Sequence, residues 1–293
     1  MVVVKFGGTS VGAPTQIDQA ARIVFEMREQ KPIVVVSAMG GVTDALLQAG
    51  EAAVTGQTRV REDKLWEIRS RHDQAINELF KDRSVAVSVQ DTERITWEEI
   101  QKVFTGVSLL REMSSRSRDL ISSFGERLII PIFAQYLTSL GQDATPIDAR
   151  EIVITSEESE FLLVDFEETR KRCQKLVKMA KAGTVPVVTG FICSTPAGIT
   201  TTLGRGGSDY TASIIGSCVK AQEIQIWTDV SGVMTADPRI VPEARVLDRV
   251  SYKEAAEMSY FGAKVLHPQT IMPRPSTETS VTPVMDVTVL TLY

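Results

Sequence analysis

The sequence predicts an α/β protein built on a parallel, doubly wound sheet. Runs of β-branched residues, such as Val2–Val4 and Ile33–Val36, are typical of strands that are buried on both faces. Between these two runs, residues 14–29 carry apolar side chains at helical spacing. A strand, a helix and a second strand in succession favour a parallel sheet that is covered by helices.

The remaining elements follow from the same patterns. Residues 43–53 are predicted to be helical. The charged block from about 61 to 140 is mostly helical in pattern and has no run of strands, which indicates a helical insertion that projects from the sheet. Further strands are predicted at 144–147, 185–191 and 223–230, helices at 165–181, 210–221 and 252–271, and a hairpin at 198–209.

The composition limits the kinds of molecule that the protein is expected to bind. The 293 residues include 32 Lys+Arg and 37 Asp+Glu, for a net charge of −5. This balance gives no general attraction to nucleic acid or to an anionic membrane, so we expect a small-molecule partner. No apolar run approaches the roughly 20 residues that span a bilayer, and the three cysteines have no metal-ligand spacing. We expect the cytoplasm, or a plastid after removal of a transit peptide.

Glycine-bearing turns follow four of the predicted strands, at Gly7-Gly8, Gly40-Gly41, 204–207 and 230–232. In a parallel sheet such turns meet at the carboxyl edge, where free amides bind phosphate or carboxylate groups. One turn is weak evidence, but four together indicate a shared anion site. Neither common phosphate motif is present, because Ala13-Pro14 stands where a P-loop needs Lys-Ser/Thr and no turn completes G-x-G-x-x-G.

Six ordered segments carry a resemblance to a known family. They are KFGGTSVG (5–12), VVSAMGGVTD (35–44), SSFGERL (122–128), TTLGRGGSDYTA (201–212), WTDVSGVMTADPR (227–239) and MSYFGAKVLHP (258–268). In this order they resemble the successive motifs of the aspartokinases, within the amino acid kinase family, over about residues 1–273. FGERL and FGAKVLHP point to the aspartokinases in particular, whereas related kinases share the glycine-rich first strand.

The resemblance implies both a fold and an activity. The fold is a three-layer αβα sandwich with a mainly parallel central sheet and a helical insertion at about 61–140. The activity is ATP-dependent phosphorylation of the side-chain carboxylate of L-aspartate to 4-phospho-L-aspartate, the first step toward lysine, threonine and methionine. That carboxylate is ionised at neutral pH, so the reaction needs no general base and no histidine. The implied cofactors are ATP and Mg²⁺, with the metal carried on the ATP phosphates and no protein ligand assigned to it.

The resemblance also implies a functional role for each residue that matches a family motif. Lys5 would bridge the transferring phosphoryl oxygens, and Asp209 would help to organise Lys5, with a helix cap as the alternative for Asp209. The resemblance implies four substrate-binding residues, Ser37, Thr43, Glu126 and Arg205. It also implies that ATP is bound by Gly7, Gly8, Thr9, Ser10, Thr228, Asp229, Met234, Asp237, Arg239 and Lys264.

The chemistry of aspartate explains two of these assignments. The guanidinium group of Arg205 suits the α-carboxylate, and the carboxylate of Glu126 suits the α-ammonium group. An intrahelical ion pair with a nearby arginine remains the alternative for Glu126. Met234 stands where the family commonly has an aromatic residue, and Trp227 is expected to pack in the core.

Residues 274–293 differ in composition from the rest. A polar linker and one β-like run at 285–293 resemble the start of an ACT regulatory region joined to the catalytic domain. A lone strand would leave an exposed apolar edge, so we expect it to pair with another chain or with the kinase body. We also expect a homo-oligomer, a dimer. Two other functions stay open, namely another amino acid kinase such as an N-acetylglutamate kinase, and a nucleotide-binding module without turnover.

Overall fold

The computed structural model describes residues 1–156, 163–228, 234–236, 240–241, 243–247 and 286–291. The strands are β1 (Val2–Phe6), β2 (Ile33–Val36), β3 (Ala144–Ile147), β4 (Val185–Thr189), β5 (Ile192–Ser194), β6 (Thr200–Thr202), β7 (Glu223–Thr228) and β8 (Asp286–Thr291). The helices are α1 (Pro14–Glu26), α2 (Val42–Val54), α3 (Thr58–Leu79), α4 (Arg83–Leu110), α5 (Ser115–Ser139), α6 (Phe166–Lys181) and α7 (Gly207–Val219). These elements confirm the predicted order, except that the hairpin predicted at 198–209 is formed by β5 and β6 and residues 207–209 begin α7. The helix predicted at 252–271 lies outside the described residues.

Among the described residues, six strands form one sheet in the order β3-β4-β2-β1-β7-β8, and each neighbouring pair is parallel. The predicted parallel α/β fold is therefore confirmed. β1 lies inside the sheet, where Lys5 is opposite Val35 of β2 and Ile226 of β7. β5 and β6 form a separate antiparallel hairpin. The strand predicted at 285–293 was expected to pair either with another chain or with the kinase body. In the structure, β8 pairs with β7 of the same chain.

The two faces of β1 contribute to two different cores. Val4 and Phe6 pack with residues of α1, α2 and α5, whereas Val3 packs with residues of α6 and α7. Successive side chains of a strand point to opposite faces. Lys5 therefore points to the same side as Val3, and this alternation directs it toward α7.

The block predicted as a projecting insertion contains α3, α4 and α5. α3 and α4 pack on α2 and α5, and Arg61 of α3 donates a 2.7 Å hydrogen bond to the Ser108 hydroxyl of α4. α5 differs from the expectation, because it contacts β2, β3 and β4 and fully buries Phe124, Ile129 and Phe133. Because most of its residues are buried, α5 belongs to the helical layer that covers the sheet. Among the described residues, no helix combines the length and apolar character needed to cross a membrane.

Candidate active site

A cavity of about 380 Å³ lies at the carboxyl ends of β1 and β2. Five segments line it: the end of β1 with the first glycine turn, the second glycine turn with the start of α2, the middle of α5, Phe191 between β4 and β5, and the loop that leads into α7 with the first turn of that helix. The residues predicted to bind ligand that line it are Lys5, Gly8, Ser37, Thr43, Glu126, Arg205 and Asp209. The structure thus gathers them at the sheet edge where parallel α/β folds bind ligands.

Lys5 and Asp209 form an ion pair in this cavity. The Nζ atom of Lys5 lies 2.6 Å from Oδ1 of Asp209, and both side chains are largely buried. Asp209 stands in the first turn of α7, whereas the N-cap residue is Gly206, so Asp209 is not the helix cap. Because an ammonium group has three donors, Lys5 can hold this carboxylate and also contact an anion.

The first two glycine turns bind each other. The N–H of Gly40 donates to the carbonyl of Gly8 at 2.9 Å, and a Cβ on Gly8 would lie 2.8 Å from the carbonyl oxygen of Ala38. Only glycine permits this approach. Arg71 of α3 links the second turn to the end of the loop that follows the first, since its guanidinium group donates to the carbonyls of Gly40 (2.8 Å) and Gly12 (3.1 Å). No sequence signal distinguished Arg71 from its neighbours in a charged helix.

The polar groups of Gly7 and Ser10 are engaged inside the protein. The N–H of Gly7 (3.2 Å) and the hydroxyl of Ser10 (3.1 Å) both donate to the carbonyl of Trp227. The end of β7 thus accepts the Gly7 N–H and the Ser10 hydroxyl in this structure, and the ATP-binding roles of these two residues stay predictions. The Trp227 ring stacks on Phe6 with a centroid distance of 6.3 Å, as expected of a packing residue. Thr9 is exposed, and its role stays a prediction.

Glu126 enters the cavity from α5. Its side chain is buried, its Oε1 accepts the N–H of Ala38 at 3.2 Å, and its Oε2 has no hydrogen-bond partner among the described residues. Burial raises the pKa of the Glu126 carboxyl to about 8. The neighbouring Arg127 pairs with Glu99 instead, and the described residues give Glu126 no ion pair. A buried acceptor without a partner is costly unless a ligand satisfies it.

Arg205 is exposed at the edge of the cavity. Its neighbours Gly204 and Gly206 have φ of 73° and 69°, in the left-handed region that glycine adopts without strain. These two glycines turn the chain between β6 and α7, so that Arg205 lines the cavity. The second glycine turn and α2 contribute Ser37, Thr43 and Asp44, of which Asp44 was not predicted.

Two further predicted ATP-binding residues, Thr228 and Met234, are described by the structure and do not line this cavity. Thr228 ends β7, and Met234 is half-buried and forms a β-bridge with Val246. The remaining four, Asp229, Asp237, Arg239 and Lys264, lie outside the described residues. In the described part of the chain, no group of three or more His, Cys, Asp or Glu side chains could hold a metal ion.

Residues 1–281 match the sequence model of the amino acid kinase family. The chain belongs to this family. The match includes every segment that lines the cavity, and it extends past residue 273, where the catalytic domain was predicted to end.

Curated relatives of this amino acid kinase include plant aspartokinases. The chain is 39% identical to aspartokinase 1, chloroplastic, of Arabidopsis thaliana over 278 residues, which covers 92% of this chain and 47% of that protein. It is 35% identical to the bifunctional aspartokinase/homoserine dehydrogenase 1, chloroplastic, of Zea mays, with coverage of 92% and 29%. The chain therefore spans about half the length of the first relative and less than a third of the second.

Solved structures of aspartokinases share the fold of this amino acid kinase. E. coli aspartokinase III in complex with aspartate and ADP, in the R-state, gives a TM-score of 0.87 at 31% identity and covers 99% of this chain and 62% of that chain. The same enzyme in complex with lysine and aspartate, in the T-state, gives 0.75. The resemblance based on the six motifs agrees with both comparisons.

Proposed function

We propose that this chain is the catalytic part of an aspartokinase, which transfers a phosphoryl group from ATP to the side-chain carboxylate of L-aspartate. The observation that carries the proposal is the convergence of Lys5, Arg205 and Glu126 on one cavity, where Oε2 of Glu126 has no hydrogen-bond partner among the described residues. The E. coli structure that contains aspartate and ADP supports the same pair of ligands, because it resembles this chain over 99% of its length.

Binding of the acceptor follows from its charges. At neutral pH, L-aspartate carries two carboxylates and one ammonium group. The planar guanidinium group of Arg205 can hold the α-carboxylate with two parallel hydrogen bonds. Glu126 accepts the α-ammonium group, which stabilises the ionised carboxylate against its burial. The hydroxyl groups of Ser37 and Thr43 line the same cavity and add hydrogen bonds to the amino acid.

Phosphoryl transfer then needs positioning and charge neutralisation. An oxygen of the side-chain carboxylate attacks the γ-phosphorus of MgATP, the new P–O bond forms, and the bond to the β-γ bridging oxygen breaks to release ADP. The attacking oxygen is already ionised, so no proton has to be removed. Lys5 stabilises the negative charge on the phosphoryl oxygens as the group moves, and Asp209 holds Lys5 in place. The metal enters with the nucleotide as part of the substrate.

Trapping of the acyl phosphate tests this function. Hydroxylamine converts 4-phospho-L-aspartate to a hydroxamate, so the chain is incubated with MgATP, hydroxylamine and either L-aspartate, N-acetylglutamate or glutamate. We expect hydroxamate with L-aspartate. Product only with another acceptor indicates a different amino acid kinase. ATP binding by calorimetry without any hydroxamate indicates a nucleotide-binding module, and both outcomes overturn the proposal.

Three further proposals concern the setting of this activity. The chloroplastic names of the relatives favour the plastid over the cytoplasm. The family resemblance supports a dimer, which light scattering after size-exclusion chromatography measures. The catalytic domain is proposed to end near residue 273, with 274–293 as the start of a regulatory region.

A further inference from the structure

A short strand leads directly into the loop that carries Arg205. β6 consists of three threonines, and Leu203 and Gly204 are the only residues between β6 and Arg205. Its backbone pairs with the three residues of β5, outside the main sheet. A two-stranded hairpin of this size is weak support by itself. The direction in which Arg205 points therefore depends on other contacts to β6.

Side chains from outside the hairpin hold all three threonines. Asp119 of α5 accepts the hydroxyl of Thr201 through Oδ2 at 3.1 Å and the hydroxyl of Thr202 through Oδ1 at 3.0 Å. Arg150 donates to the hydroxyl of Thr200 at 2.9 Å. Adjacent side chains of a strand leave the backbone on opposite sides. A carboxylate that binds both Thr201 and Thr202 therefore restrains rotation of β6 about its own axis.

The same helix carries both Asp119 and Glu126. The two residues lie about two turns apart, which places them on one face of α5. α5 is rigid by its packing, since it buries apolar residues against β2, β3 and β4. Glu126 enters the cavity directly, whereas Asp119 holds the strand that leads to Arg205. Burial raises the pKa of Asp119, and the two threonine hydroxyl groups oppose this by stabilising its ionised form.

We propose that Asp119 is a positioning residue that fixes Arg205 relative to Glu126 by anchoring β6 to α5. The inference rests on the proposed function, in which Arg205 and Glu126 bind the α-carboxylate and the α-ammonium group of one L-aspartate. Those two groups are attached to the same carbon, so the side chains that bind them must keep a constant spacing. Nucleotide binding does not depend on this spacing.

Substitutions that remove the anchor test the proposal through the KM values of both substrates. For Asp119→Ala, and for Thr202→Val, which removes one hydroxyl at nearly constant shape, we expect the KM for L-aspartate to rise about tenfold while the KM for ATP stays within about twofold. Thr202→Ser keeps the hydroxyl and should restore the wild-type value. Thr138→Val is the matched control, because among the described residues that hydroxyl bonds the Ala134 carbonyl of the same helix and no residue of β6. Equal changes in both KM values overturn the proposal.

A double-mutant cycle shows whether Asp119 acts through Arg205. In the Arg205→Ala background, Asp119→Ala should raise the KM for L-aspartate no further. Effects that multiply would overturn the proposal, because Asp119 would then act by another route.

Hydrogen exchange separates this inference from the proposed function, since it needs no turnover. In the chain without substrate, Asp119→Ala and Thr202→Val should each speed exchange of the amides at 200–207, and Thr138→Val should not. Unchanged exchange in both variants overturns the anchor. If the wild-type chain forms no hydroxamate with L-aspartate, the proposed function fails, and faster exchange at 200–207 still supports the anchor.

Discussion

The Nζ atom of Lys5 lies 2.6 Å from Oδ1 of Asp209, so an ion pair joins a central strand to the first turn of α7. Two local features produce it. Side-chain alternation along β1 sends Val3 and Lys5 to the side of α7, and the N-cap residue Gly206, in the left-handed region, turns the chain into α7 so that Asp209 lies in its first turn. The ammonium group is thereby held in the cavity by a carboxylate and can act on a second anion.

Substitution of Lys5 by Met tests this arrangement, because it keeps an unbranched apolar stem and removes the charge. We expect the rate of acyl phosphate formation to fall by an amount that corresponds to about 2 to 4 kcal/mol, as for the loss of one preorganised donor. ATP affinity should change less. Hydroxylamine trapping measures the rate, and calorimetry measures the affinity. Lys81→Met at an exposed position is the control; a Lys5→Met rate equal to that of this control would refute the role of Lys5.

Burial of Glu126 predicts a pH dependence of aspartate binding. Its pKa is raised to about 8, so the free site holds a protonated carboxyl at neutral pH, whereas the α-ammonium group binds the ionised form. The dissociation constant for L-aspartate should therefore fall as pH rises toward about 8, by at most about tenfold per unit.

Calorimetry in buffers of different ionisation enthalpy measures the proton that this binding releases. At about pH 7 the wild-type chain should release up to one proton for each L-aspartate bound. Glu126→Gln should bind more weakly, without this pH dependence, and should release none. Equal proton release by both proteins would show that Glu126 is not the acceptor of the ammonium group.

A second buried carboxyl, Glu93 of α4, predicts a pH dependence of stability. Its Oε1 has no hydrogen-bond partner among the described residues, and burial, with a smaller contribution from Asp73, raises its pKa from the ordinary value of 4.5 to about 8. Between these values the folded chain holds a proton that the unfolded chain has released. The free energy of unfolding should therefore fall as pH rises through this window, by at most about 1.4 kcal/mol per unit for each such carboxyl.

Urea unfolding between about pH 6.5 and pH 8 isolates this effect. Burial lowers the pKa of His72 from 6.5 to about 4. His72 therefore changes the free energy of unfolding with pH only below about pH 6.5, outside the range of this experiment. Glu126, whose pKa burial also raises to about 8, makes the free energy of unfolding fall with rising pH in the same way as Glu93. We expect Glu93→Gln to remove about half of the slope without changing turnover, and Glu112→Gln, at an exposed position, to leave the slope intact. If Glu93→Gln leaves the pH dependence of the free energy of unfolding unchanged, Glu93 does not hold the proton that explains it.

Local pattern predicted the sheet and the position of the site, because side-chain alternation and glycine turns are local properties. Contacts between distant elements were not predictable in this way. Arg71 and Asp119 each lie in helices whose charged residues look alike in sequence, and they differ from their neighbours only in what the fold places beside them. For Gly7 the register of β1 against β7 decides that its amide is already bonded. The position of α5 likewise depends on packing against the sheet, since helical periodicity alone does not distinguish a layer helix from a projecting one.

Two helical glycines give opposite predictions from the space around them. A Cβ at Gly106 of α4 would meet nothing within 4 Å, whereas a Cβ at Gly125 of α5 would lie 2.7 Å from Cβ of Ala38. Gly106→Ala should raise the free energy of unfolding by about 0.5 to 1 kcal/mol and leave turnover unchanged. Gly125→Ala should lower it by about 1 to 3 kcal/mol through overpacking.

Gly125→Ala should also impair the substrate site, because it pushes α5 away from the turn whose Ala38 N–H binds Glu126 at 3.2 Å. We expect the KM for L-aspartate to rise. Ala38→Gly removes the opposing methyl group, so the double variant should recover much of the lost stability and affinity. Urea unfolding and the two KM values measure these effects. If the double variant is no better than Gly125→Ala alone, the close approach of Gly125 to Ala38 does not determine the position of Glu126.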